Sequence, residues 1–249
     1  MKKACILVVL GLILASLVLA SCSSSGNNSS AKIIIATDAT WPPFEYVDEQ
    51  TKALVGFDMD IMKAIAAKQN LNIEFKNVAW DPLLAGMAQG TYDCAISSIT
   101  ITDERKKSML FSDPYFAAGQ IVVVRSDNTD IKGKDTLNGQ VGVQLGTTGD
   151  IEVQKIKTAT TKPYDDIGLA FQDLLNGQIK AVVCDNPVAV LYVGKNAGKL
   201  KLAGSAFTDE NYGIAVAKAK TDLLTKINAG LKAIKADGVI EKASATWLK

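Results

Sequence analysis

Asp93-Cys-Ala-Ile-Ser-Ser-Ile-Thr-Ile-Thr-Asp-Glu-Arg105 is the stretch that decides how this chain is read. The apolar run through Ala95 and Ile96 reads as a buried strand, and it gives out into Ser97, Ser98 and Thr100. Small hydroxyl residues at the end of a buried strand leave O–H and backbone N–H groups free at the sheet rim. Arg105 follows and offers a planar fork of donors matched to a carboxylate. Together these groups describe a cradle for a small carboxylic acid. Taken alone, they fit equally well a hydroxyl-rich turn with a surface Arg–Asp pair.

Outward from this stretch, strands and helices alternate. Lys32 to Thr37, Asn72 to Phe75, Gln120 to Arg125, Gln140 to Val143, Ile179 to Val183 and Tyr212 to Ala217 read as strands. Phe57, Ile61 and Ile65 recur at helical spacing in Gly56 to Gln69, with acidic residues in the first turn where the macrodipole favours them. Asp81-Pro82 is expected to open a second helix, with Asp81 as N-cap. Asp166 to Leu175 forms a third, stopped by Asn176-Gly177, and Asn186-Pro187 starts a fourth that runs to about Asn196. A long amphipathic helix carries Leu223, Leu224, Ile227, Leu231 and Ile234, with Thr221 as its expected cap. This alternation predicts an α/β fold with mainly parallel sheets.

The chain of 249 residues begins Met1-Lys2-Lys3, followed by an apolar run from Ala4 to Ala20 and then Leu19-Ala20-Ser21-Cys22. A basic start, an apolar centre and small residues before a cut site make a secretory signal over residues 1–21. The Leu-Ala-Ser-Cys sequence resembles the bacterial lipoprotein box, which implies cleavage before Cys22 and a lipid on its sulfur. An uncleaved membrane anchor is the alternative. Residues 22–30, rich in Ser, Gly and Asn, read as a flexible tether. With 27 basic and 26 acidic residues the chain is close to neutral, and no basic run asks for nucleic acid. The absence of histidine excludes His-based triads and His metal sites. Of the four cysteines, Cys5 lies in the signal and Cys22 at its end; Cys94 and Cys184 sit in apolar strand-like runs and read as buried free thiols, with a disulfide as the alternative for an exported protein.

Three further constellations bear on chemistry. In Thr37-Asp-Ala-Thr-Trp-Pro-Pro-Phe-Glu-Tyr46 a carboxylate, Asp38, follows a strand end and Trp41 follows it, at the edge where open α/β sheets bind ligands. Trp80 lies just before the helix of Asp81-Pro82, so two of the three tryptophans fall in loops at one sheet edge; each also fits a core plug. Gly142-Val-Gln-Leu-Gly-Thr-Thr-Gly149 runs a strand into a helix N-terminus whose free N–H groups suit a carboxylate. Asp185 ends the strand Ala181-Val-Val-Cys-Asp185, where it could take an ammonium group or cap the next helix.

Gly56-Phe-Asp-Met-Asp-Ile61, Ile99-Thr-Ile-Thr-Asp-Glu-Arg105 and Phe111-Ser-Asp-Pro-Tyr115 resemble the polar amino-acid-binding proteins of ABC importers, the family 3 solute-binding proteins with the type II periplasmic-binding-protein fold. The resemblance covers essentially all of residues 31–249 and is nearest to arginine/lysine/histidine- and glutamine-binding members. It implies two lobes that close on a ligand. Lobe 1 would be residues 31–113 and 213–249, lobe 2 residues 119–207, and the hinge residues 114–118 and 208–212. Arg105 matches the residue that forks onto the ligand α-carboxylate, with Thr100 and Thr148 adding N–H or hydroxyl contacts. Asp185, helped by Ser98, matches the carboxylate for the α-ammonium. Asp38 matches the acidic residue at the far end of the side-chain pocket, Trp41 and Trp80 the aromatics that sandwich the side chain, and Ser97 and Gln144 pocket-lining positions. Cys184 and Gln144 depart from close relatives, which often have histidine at the first position and lysine or leucine at the second.

The residues themselves add a mechanism. A zwitterion needs a cation for one end and an anion for the other, and Arg105 and Asp185 supply them from different lobes, so that only the closed state satisfies both. Asp38 with two indole faces suits a flat cation: arginine first, then lysine, ornithine or histidine, with glutamine as the alternative. An enzyme on the same fold, such as the dehydratases that resemble these binders, would need an unpaired acid or base in the cleft. The expectation is a non-catalytic, membrane-anchored, extracytoplasmic monomer. It would need no metal or cofactor and would pass an amino acid to an ABC permease.

Overall fold

The computed structural model describes residues 32–248, so the readings made for residues 1–21, for Cys22 and for the tether 22–30 lie outside the described residues. Elements are numbered in chain order. The first lobe opens with β1 (Ile33–Thr37), the short strands β2 (Thr40–Trp41), β3 (Glu45–Val47) and β4 (Leu54–Val55), α1 (Phe57–Gln69), β5 (Ile73–Asn77), α2 (Trp80–Gln89), β6 (Cys94–Ala95), α3 (Asp103–Lys106) and β7 (Leu110–Phe111). A crossing strand β8 (Phe116–Ala118) leads to the second lobe: β9 (Gln120–Arg125), β10 (Gly139–Gln144), α4 (Thr148–Gln154), β11 (Ala159–Tyr164), α5 (Ile167–Leu175), β12 (Ala181–Asp185), α6 (Asn186–Lys195) and β13 (Leu200–Ala203). The chain returns through β14 (Glu210–Tyr212) to β15 (Ala215–Val216), α7 (Thr221–Ala236) and α8 (Val239–Trp247).

Both lobes use one design. The first sheet runs β5-β1-β6-β15-β7 and the second β11-β10-β12-β9-β13. In each, four strands run in one direction and one, the fourth in order, runs against them, so the sheets are mixed. In the second lobe the chain enters through one antiparallel strand, β9. In the first lobe it comes back from the second through another, β15. The crossing strands β8 and β14 pair with each other, Glu210 opposite Ala118, as a two-stranded ribbon separate from both sheets.

Alternation along β1 sends Ile35 into the apolar layer under α1 and α7, and Ala36 into the layer under α2 with Leu83 and Met87. Helix α1 packs on α7 and α8. Its start needs Gly56, whose φ of 129° is a conformation other residues rarely adopt. That conformation brings the chain against the hairpin of β2 and β3, where the Phe57 N–H donates to the Pro43 carbonyl and the Asp58 N–H to that of Phe44.

Four local expectations are corrected. Tyr212 to Ala217 is not one strand: Gly213 and Ile214 separate β14, in the ribbon, from β15, in the first sheet, and the Gly213 N–H donates to Ile99 O. Helix α2 starts at Trp80 with Ala79 before it, so Asp81 and Pro82 lie inside the first turn; the N–H groups there have no helical acceptor, and proline loses nothing by lacking one. Thr221 is the first residue of α7 and not its cap, which is Lys220. Trp41 and Trp80 are not loop residues; they belong to β2 and to the first turn of α2. Cys94 and Cys184 are buried free thiols. Among the described residues no helix is long and apolar enough to cross a membrane.

Candidate functional site

One cleft, with about 300 Å³ of empty volume, is lined by Asp38, Trp41, Trp80, Ser97, Ser98, Thr100, Arg105, Gln144, Thr148 and Asp185, joined by Glu45 and Thr147. Every residue singled out from the sequence as a ligand contact therefore faces a single space. The first lobe contributes the residues up to Arg105 and the second lobe those from Gln144 onward.

At one end lies Arg105. It sits in the single turn of α3, whose cap Thr102 accepts the Arg105 N–H at 3.1 Å. Its guanidinium donates to Thr100 O at 2.9 Å and, across the cleft, to Gly146 O at 3.3 Å. It also lies 5.2 Å from the ring centre of Trp80. Burial lowers its pKa, and the negative charges of Asp185 and Glu210 oppose that shift. A guanidinium remains charged under such conditions, so a partly buried cation stands here with donors to spare.

Asp185 ends β12 opposite Gln120 on β9, and Gln120 Nε2 donates to its Oδ1 at 2.6 Å. Although it immediately precedes α6, its side chain makes no capping bond, so the carboxylate stays available to the cleft. Burial, reinforced by Glu210, pushes its pKa up to about 8, against the pull of Gln120 and Arg105.

The opposite end is built around Asp38, just past β1. Its backbone N–H donates to Ser97 Oγ at 2.9 Å. Its Oδ1 accepts from Thr40 Oγ1 at 3.0 Å, and its Oδ2 accepts from Gln144 Nε2, on the second lobe, at 2.9 Å. Burial raises it to about 6, with Thr40 and Gln144 holding it down. Trp41 and Trp80 are buried at the cleft wall, and neither indole N–H has a hydrogen-bond partner among the described residues. A buried N–H without a partner is rare in structure that serves packing alone.

Ser98 has φ of 49°, a left-handed conformation uncommon outside glycine and asparagine. It persists because Asp58 Oδ2 accepts the Ser98 N–H at 2.8 Å while Tyr115 donates its hydroxyl to the same oxygen at 2.8 Å. The kink turns the Ser97 and Ser98 hydroxyls onto Glu45, at 3.1 and 3.3 Å. Ser98 thus bonds Glu45 and Asp58 in this structure. Burial and the neighbouring Asp58 push Glu45 well above the usual carboxylate range, and burial raises Asp58 to about 7. Two carboxyl groups buried together each disfavour the other's ionised form.

Glu45, Thr147, Gln120 and Glu210 escaped the sequence reading. Glu45 could have been suspected, as an acid between Phe44 and Tyr46 in an otherwise apolar run. Glu210 gave no signal, since Asp-Glu-Asn reads as a polar turn. Yet it is only 7% exposed and accepts the hydroxyls of both Thr100 and Thr148 at 2.8 Å. The arrangement can hold a molecule with an anion at Arg105, a cation at Asp185 and a polar or cationic tail at Asp38. Among the described residues, no group of three or more Cys, Asp or Glu side chains is placed to hold a metal ion.

Residues 33–249 match the model of the bacterial extracellular solute-binding proteins, family 3. The ABC transporter arginine-binding protein 1 of Escherichia coli is 35% identical over 89% of this chain and 93% of its own. An ancestral arginine-binding protein solved with arginine superimposes with a TM-score of 0.83 at 43% identity, over 88% of this chain and 98% of that one. An ancestral arginine-binding protein bound to glutamine gives 0.81 at 44% identity, over 87% and 97%.

Proposed function

We propose a ligand and a mode of capture from one premise: the chain belongs to the bacterial extracellular solute-binding proteins of family 3. It is an extracytoplasmic amino-acid-binding protein of the arginine/lysine/histidine- and glutamine-binding group, and it is not an enzyme. Its two-lobed architecture is that of the type II periplasmic binding proteins.

The ligand we assign is L-arginine, then lysine, ornithine or histidine. The observation that carries this is the pocket end around Asp38. A buried carboxylate, held from both lobes, faces two buried indoles, with Glu45 beside it. A guanidinium gains about 0.5–2 kcal/mol from each indole face and neutralises the acid. Arg105 takes the α-carboxylate, with Thr100 and Thr148 near it; Asp185 takes the α-ammonium. Ser97, Ser98 and Gln144 shape the pocket. Glutamine is the second reading, favoured by the glutamine complex of an ancestral arginine-binding protein, because Asp38 can accept from a carboxamide.

Residues 31–113 with 213–249 form the first moving body and residues 119–207 the second. The hinge lies at 114–118 and 208–212. Closure presents the loaded protein to an ABC permease, with a lipid on Cys22 holding the monomer at the membrane's outer face. A thermal-shift panel of the twenty amino acids, followed by calorimetry, tests the ligand. The expected order is arginine above lysine above glutamine. A large shift with glutamine and none with arginine overturns it.

A further inference from the structure

We propose that Glu210 is a positioning residue that fastens the two lobes in the closed state, so that a carboxylate built into the hinge sets how long the ligand is held. This rests on the capture reading above and extends it to a residue that need not touch the ligand.

Glu210 belongs to the crossing ribbon, opposite Ala118. Its Oε2 accepts from Thr100 Oγ1 of the first lobe and from Thr148 Oγ1 of the second, each at 2.8 Å. Gln120 Nε2 approaches the same oxygen at 3.4 Å, and also reaches Thr148 Oγ1 at 3.1 Å and Asp185 Oδ1 at 2.6 Å. Thr208 Oγ1 donates to the other oxygen, Oε1, at 2.8 Å and fixes the carboxylate plane. One buried anion thus joins the arginine end of the cleft to the Asp185 end, through hydroxyls that belong to different bodies.

Two consequences follow from the chemistry. A hydroxyl has one proton, so while Thr100 and Thr148 donate to Glu210 they meet the ligand carboxylate through backbone N–H groups, and Arg105 carries most of the charge recognition. When the lobes part, Thr148 leaves with the second lobe and Thr100 stays with the first. Glu210 then keeps at most one of the two hydroxyls, and the other must be replaced by water. Its hydrogen bonds are complete only in the closed state, which is the differential interaction a closed-state latch requires.

The test is stopped-flow tryptophan fluorescence of arginine dissociation, with the ligand-free unfolding midpoint measured beside it, on wild type, Glu210→Ala, Glu210→Gln and Thr208→Val. Glu210→Ala is expected to release arginine about tenfold or more faster, with a much smaller change in association. Glu210→Gln keeps an acceptor oxygen for the two threonines and is expected to recover part of the loss. Thr208→Val frees the carboxylate to rotate and also takes away the acceptor of the Gln120 backbone N–H, held at 2.7 Å; it is expected to speed release about threefold beside some loss in the unfolding midpoint. If Glu210→Ala does not fold, Glu210→Gln and Thr208→Val carry the test together. Unchanged dissociation in the variants that fold, or a fall in unfolding midpoint with no change in dissociation, overturns the latch. Failure of the wild-type protein to bind any of the twenty amino acids overturns the proposed function, and the latch with it.

Discussion

Arg105 and Asp38 mark the two ends of the cleft, and each is held by a contact from the opposite lobe, Gly146 O in one case and Gln144 Nε2 in the other. Their removal has different signatures. Arg105→Ala leaves the ligand carboxylate buried without its counter-charge, and calorimetry is expected to show a loss of about 2–5 kcal/mol for every amino acid that binds. Asp38→Asn removes charge but keeps size and an acceptor oxygen. Arginine affinity is expected to fall about tenfold or more, while glutamine moves by less than about threefold, read as a ratio of dissociation constants. Equal losses for both ligands would place the tail elsewhere. At this scale the sequence was informative where a residue type is chemically singular. An arginine after a hydroxyl-rich strand end, a strand-terminal aspartate and two tryptophans near prolines all stand out. It was silent on Glu210 and Gln120, because an acid in a polar turn and a glutamine at a strand start look like solvated surface. Only the pairing of β14 with β8 and of β12 with β9 brings them under the cleft.

Among the elements, the start of α1 is the most constrained. A Cβ on Gly56 would stand 2.1 Å from the Phe44 carbonyl oxygen, and the backbone there has φ of 129°. Gly56→Ala must either open the hairpin or change the backbone. It is expected to cost about 2–4 kcal/mol in urea unfolding, and to weaken arginine binding, because Phe44 adjoins Glu45 and the wall of the pocket. The strand and helix alternation was legible because apolar runs such as Ile33–Thr37 and Gln120–Arg125 are buried on both faces and bounded by polar turns. What was not legible is how short some strands are. Cys94–Ala95 and Ala215–Val216 have two residues each and hold their place by pairing, a property no local pattern records. The split of Tyr212–Ala217 has the same cause: its halves serve different sheets, and only Gly213 and Ile214 lie between them. Helix α8 escaped notice too, although Trp247 Nε1 ties it to Asp60 on α1 at 2.8 Å.

For the molecule as a whole, the buried carboxyl groups in and behind the cleft are a store of protons. Asp38, Asp58 and Asp185 rise from 3.8 to about 6, 7 and 8. Each therefore binds more protons in the folded protein than in the unfolded chain across the interval between those values. Stability contributed by these groups is present below the ordinary value and is lost as pH rises through the folded ones. Calorimetric melting of the ligand-free protein is expected to give a higher midpoint near about pH 5 than near about pH 8.5. Arginine reverses the preference, since its two cations pair with Asp38 and Asp185 in their ionised forms; its affinity is expected to rise over the same interval. A ligand-free midpoint that climbs from pH 5 to 8.5 would contradict this account. A last consequence belongs to the two thiols. Cys94 is buried in the first sheet and Cys184 in the second, both unpaired, and burial keeps both protonated. Alkylation can reach each only when its own lobe loosens. Peptide-resolved labelling with iodoacetamide thus gives two independent clocks in one unmodified chain, and the difference between their rates says which half of the trap breathes first.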